Sequence, residues 1–198
     1  MIKNPIPEVT NKMQYRAIGI VNAIYNPHDN DKLNRGTLID NQGKKIEAVV
    51  LGKALSLIRK HINLNKTYFW IVYQKNKNTK NLHLQIVGLW DPYEFNEITN
   101  ENFKGTTLEL LEGLNLTDNY FSVRGELVFV NTQKKEFVIK ICSSPQEKKL
   151  KNKNFKIVIE GDVSLKVLNN FLSLDVIRNG NTLRMINYEV IEKVTSKK

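Results

Sequence analysis

Cysteine is almost missing: Cys142 is the single one among 198 residues, which excludes an intrachain disulfide framework and a cysteine-built zinc cluster. Its setting in the apolar run FVIKIC reads as a small buried hydrophobe rather than a nucleophile. Long apolar runs are missing too. No window approaches the roughly 20 consecutive apolar residues that a membrane span needs, and the leading MIKNPIPEVTNKMQ has no apolar core of a secretory signal. A cytoplasmic location is the expectation. The chain also lacks a Gly-rich phosphate loop ending in Lys-Ser/Thr, a G-x-S-x-G elbow and an H-E-x-x-H pair. Its histidines, His28, His61 and His83, fall in a loop, near a helix end and on a strand, without ligand spacing. Asp29 and Asp31 beside His28 read as a solvated, turn-rich loop. No cofactor, metal or catalytic residue is expected, and the enzyme class is set aside.

What the chain does have is an ordinary globular balance, 41% apolar and 25% charged, with an excess of lysine that brings the net charge to +10. Lys, Asn and Ile share AT-rich codons, so the total says less than its distribution. Residues 1–90 carry 14 Lys+Arg against 5 Asp+Glu, residues 91–118 carry 1 against 7, and residues 119–198 carry 15 against 8. Two basic bodies, 1–90 and 119–198, flank an acidic connector, 91–118. The connector contains one short helical possibility, TTLELLEGL, and its charge fits a solvated linker, the favoured reading, or an arm lying against one basic body.

The first body reads as three strands, a helix and two strands. YRAIGIVNAIY is a long strand with Gly19 inside it, and an interior glycine marks a bulge or bend. RGTLID and KKIEAVVLG form a hairpin across Asn41-Gln42-Gly43. In KALSLIRKHINL, Ala54, Leu55, Ile58 and Ile62 recur at helical spacing while Lys53, Ser56, Arg59 and Lys60 occupy the wet face. Gly52 is the hinge between strand and helix. TYFWIVY and NLHLQIVGLW then complete the body. The second body repeats the order: NYFSVRGELVFV with Gly125 where Gly19 stood, KEFVIKIC, NFKIVIEG, NNFLSLDVI and NTLRMINYEVIEK. Its helix position holds only GDVSLKVL, with Gly161 as the counterpart of Gly52.

This order resembles the OB-fold, a five-stranded, partly open barrel. The fold class expected is therefore mostly β, two small OB-like barrels in tandem, the second with its helix reduced or absent. YRAIGIV, RGTLID, AVVLGKALSLIRKH and LHLQIVGLW together resemble an uncharacterised protein family of cyanobacteria, a resemblance that carries over no functional residue.

OB-folds commonly bind oligonucleotides through the loops between strands one and two and between strands four and five. In the first body the latter loop, QKNKNTK, joins aromatics to cations: Trp70 and Tyr73 precede Lys75, Lys77 and Lys80, and His83 follows. Single strands are held by such combinations, lysines tracking phosphates while bases stack on rings. Period two allows only one set outside, Phe69, Ile71 and Tyr73 or Tyr68, Trp70 and Val72. Arg16, Arg35, Lys44 and Lys45 add charge along the first three strands. In the second body SSPQEKKLKNKNFK offers Lys148, Lys149, Lys151 and Lys153 as an electrostatic arm. The function expected is non-catalytic binding of single-stranded nucleic acid, RNA or DNA; the alternative is an assembly factor docking on an acidic protein.

Overall fold

The computed structural model describes residues 2–74, 82–93, 105–142 and 154–194. They fall into two compact units, one built from the described residues of 2–7, 19–74 and 83–120, the other from those of 8–18 and 121–194 together with Leu82. Among the described residues no helix is long and apolar enough to cross a membrane. Nor do they include a group of three His, Cys, Asp or Glu able to hold a metal ion.

Five strands build the first barrel in chain order, β1 (Arg16–Pro27, its residues from Gly19 on in the first unit), β2 (Arg35–Asp40), β3 (Lys45–Val50), β4 (Tyr68–Gln74) and β5 (His83–Trp90), with α1 (Gly52–His61) between the third and fourth. The spatial order is β2-β3-β5-β4-β1, and a further β1–β2 pairing closes the ring. Hairpin neighbours are antiparallel, whereas β3 and β5 run parallel from Glu47 beside His83 to Val50 beside Ile86. Both the closure and the parallel pairing of the third with the fifth strand belong to the OB-fold. Alternation builds the core: Ile46, Ala48 and Val50 point inward from β3, and Leu84 and Ile86 from β5.

Local chemistry sets the corners. Asp40 Oδ1 accepts from the amides of Gln42 and Lys44 at 3.0 and 2.9 Å, holding the β2–β3 turn together. At Gly52 the chain takes φ +50°, a left-handed step that only a residue without Cβ makes freely, and α1 starts there. The helix buries Ala54 and Ile58 and leaves Lys53, Ser56, Arg59 and Lys60 in solvent. Those cations are the wet face of a fold element.

Part of the acidic segment is folded. Thr106 and Glu109 form a capping box that starts α2 (Thr107–Gly113), which buries Leu110 and Leu111 and clusters with the first unit. Burial of these leucines accounts for the ordering of a stretch whose charge alone would favour solvent.

The second unit repeats the topology. Its strands β6 (Tyr120–Asn131), β7 (Glu136–Ile141), β8 (Phe155–Glu160), β9 (Asn170–Asn179) and β10 (Thr182–Lys193) run in the order β6-β7-β8-β10-β9, closed by β6–β9. The helix position holds a 3-10 turn, Leu165–Val167. Packing onto this unit brings Tyr15, whose hydroxyl donates to Glu126 and whose ring meets Phe171 edge-on at 5.0 Å. Arg124 sits below the surface with Nη1 donating to Ser173 Oγ at 2.6 Å and Nη2 to the Lys12 carbonyl at 2.7 Å.

Gly125 sits just before the β6–β7 ladder begins, at Glu126 opposite Lys140. A Cβ there would lie 2.5 Å from the Lys140 carbonyl oxygen and 2.7 Å from Ile139 Cγ2. Backbone cannot yield as a side-chain end can. Gly125→Ala is therefore expected to destabilise the second barrel by roughly 3 kcal/mol, the upper range of overpacking costs. Urea unfolding checks it, and a loss under about 0.5 kcal/mol, that of an ordinary surface site, sinks it.

Candidate nucleic-acid interface

Once the inward residues are fixed, alternation decides what the first barrel shows to solvent. Tyr68, Trp70, Val72 and Gln74 of β4 are buried, and so is Phe69 of the other alternating set, edge-on to Trp90, leaving Ile71 and Tyr73 outside; Leu84 and Ile86 are buried, leaving His83 and Gln85. Register aligns these positions across strands. Arg35 lies opposite Val49, Val49 beside Gln85, and Gln85 opposite Tyr73, so one outward row crosses β2, β3, β5 and β4. Three inter-strand steps make it about 14 Å long.

A second row runs Asn26, Thr37, Glu47, His83, and a third Ile24, Ile39, Lys45. Arg35, Lys45 and Glu47 are exposed, His83 and Gln85 half-buried, and Tyr73 is 38% exposed. Lys44 is exposed at the entry to β3. The carboxylate of Glu47 lies 3.7 Å from His28 Nε2, an exposed pair whose attraction water largely screens. The face thus carries a ring at one end, an amide beside it, and cations at the other end and flank. Such a surface offers a base a stacking partner and phosphates a positive edge.

Four of the residues expected from sequence, Arg35, Lys45, Tyr73 and His83, meet on this face, with Lys44 at its border. Two expected residues do not. Trp70 is only 1% exposed; its Nε1 donates to the Ala23 carbonyl at 2.8 Å and its ring packs edge-on against Tyr25 and Tyr68. It is core, not platform, because the set with the largest ring fills the barrel. Burial pushes the Tyr25 phenol up to about 12, and its hydroxyl donates to the Leu33 carbonyl at 2.9 Å. Arg16 clusters with the second unit, where its Nε and Nη2 both donate to Ser122 Oγ at 3.1 and 2.8 Å. Its charge serves that contact, not the rows above.

Residues 17–97 match the family model described as PatR RNA-binding protein, N-terminal OB-fold domain, and residues 123–192 match that described as cyanobacterial OB-fold-like RNA-binding domain, C-terminal. The chain belongs to this family. Both halves of it are OB-folds in tandem, in agreement with the two closed strand rings. No curated protein matches the chain.

The family's two domains differ here in how much of the expected charge can be placed. Lys75, Lys77, Lys80, Lys148, Lys149, Lys151 and Lys153 lie outside the described residues. Among the described cations of the second unit, Arg124 and Arg178 are turned to internal carbonyls and hydroxyls. Burial lowers the Arg124 pKa, with Glu189 opposing, though an arginine stays charged regardless. Sequence reasoning missed Gln85. The alternation Leu82, Leu84, Ile86 carried the signal, since it places His83 and Gln85 together on the opposite side.

Proposed function

We propose that the chain binds single-stranded RNA without catalysis, and that the outward rows of the first barrel form the contact surface. The observation that carries this is the row Arg35, Val49, Gln85, Tyr73, with Glu47 and His83 in the next row and Lys45 in the one beyond. Tyr73 stacks a base, Gln85 beside it offers an amide to a base edge, and Arg35, Lys44 and Lys45 take backbone phosphates. The lysines of residues 75–80 and 148–153 add sequence-independent attraction. The family descriptions support RNA as the ligand; preference over DNA requires contacts to the 2′-hydroxyl.

Fluorescence anisotropy with labelled single-stranded RNA and DNA of one sequence, over a salt series and with heparin as competitor, tests this reading. Tyr73→Ala is expected to weaken RNA binding roughly tenfold, within the 1–3 kcal/mol that base stacking on an aromatic contributes. Its half-exposed position leaves the fold intact. Absence of binding at low salt overturns the proposal in favour of an acidic protein partner. Binding that ignores Tyr73→Ala and is fully displaced by heparin reduces it to charge attraction alone.

A further inference from the structure

The outward face of the second barrel is built on a different plan. Across β6, β7 and β8 the register sets Phe129 opposite Val138 and Val138 opposite Val158, an apolar row in which Phe129 is 53% exposed. On one side of it lies the row Glu126, Lys140, Lys156; on the other lies Asn131, Glu136, Glu160. A bulge between Leu127 and Phe129 keeps both Glu126 and Phe129 outward. Lys140 Nζ pairs with Glu126 Oε2 at 3.0 Å, and Arg184 on β10 lies 3.9 Å from Glu160 Oε2. One flank has a net positive charge and the other a net negative one.

Three glutamates make this a poor bed for a phosphate backbone. The pattern is instead complementary to itself. Consider a second copy laid face to face and related by a two-fold axis along the apolar row. The rotation exchanges the two flanks and keeps each strand over its own counterpart. Phe129 then meets Phe129 of the second copy, Lys140 faces Glu136, Lys156 faces Glu160, and Glu126 faces the neutral Asn131. An isologous contact requires this kind of self-complementary patch.

We infer that the β6–β7–β8 face pairs with the same face of a second copy of this chain. Sheets stacked in this way sit about 10 Å apart with their side chains interdigitated. Three short strands present less than the roughly 800 Å² per partner of a standard interface, so the dimer is weak, with a dissociation constant on the order of 10–100 µM. The inference does not depend on the RNA reading.

Sedimentation velocity on the full chain without RNA tests it. The average mass should rise from one chain towards two over about 1–200 µM. Phe129→Ser, Lys156→Glu and Glu160→Lys should each weaken association about tenfold or more, the latter two by setting like charges opposite one another twice per dimer. Mixing Lys156→Glu protein with Glu160→Lys protein should restore it, because each new charge then meets its opposite. Misfolding could not be rescued by mixing, so restoration carries the geometry. A monomer at every concentration, or a mixture no stronger than the single variants, overturns the inference. So does loss of RNA binding in monomeric Phe129→Ser protein, which would assign the face to RNA.

Discussion

Trp70→Ala is expected to destabilise the first barrel by about 3–5 kcal/mol, the cost of deleting a large ring from a packed core. Against a total of roughly 5–15 kcal/mol for a domain, that brings the barrel close to unfolding near physiological temperature. Three contacts are lost together: the edge-on packing on Tyr25 and on Tyr68, and the 2.8 Å hydrogen bond to the Ala23 carbonyl. Trp70→Phe separates them. It keeps most of the apolar volume but leaves the buried Ala23 carbonyl without its donor, a cost of about 1–3 kcal/mol. Differential scanning calorimetry should therefore rank the wild type above the phenylalanine variant and that above the alanine variant. A surface stacking platform would behave in the opposite way, with melting unchanged and RNA affinity reduced. For Trp70→Ala held below its melting point, affinity per folded molecule should equal that of the wild type.

The same residue marks the limit of what the sequence discloses. Strand order, the α1 position and the Gly52 hinge are legible because each has a local cause: period-two alternation, helical spacing of Ala54 and Ile58, and a left-handed step. Which face of YFWIVYQ turns inward has no local cause. Both alternating sets contain aromatics, and only closure of the ring, with Ala23 and Tyr25 of β1 brought against β4, settles that Trp70 goes in and Tyr73 stays out. Arg16 fails for a related reason. Nothing near it in the chain announces Ser122, 106 residues away. The cross-strand rows are likewise products of register, so Arg35, Gln85 and Tyr73 become neighbours only once three ladders are known.

Reversing the two cations of the face, Arg35→Glu with Lys45→Glu, is expected to weaken RNA binding about 30- to 100-fold near 0.1 M salt. Two phosphate contacts are lost and two repulsions gained, together roughly 2–3 kcal/mol, at tenfold per 1.4 kcal/mol. Both side chains are exposed, so the fold should hold. The salt dependence gives a second reading of the same loss. Each phosphate neutralised on a single strand contributes about 0.7 to the slope of log affinity against log salt, so the slope should flatten by about 1.4. Arg59→Glu with Lys60→Glu is the matched control: it changes net charge by the same amount, but from the exposed side of α1. Screening over about 10 Å at 0.1 M confines each charge to its own neighbourhood, so the helix pair should cost only a few-fold. If both doubles weaken binding equally and flatten the slope equally, the RNA is held by the overall field of the protein and the outward rows of the first barrel are not its seat.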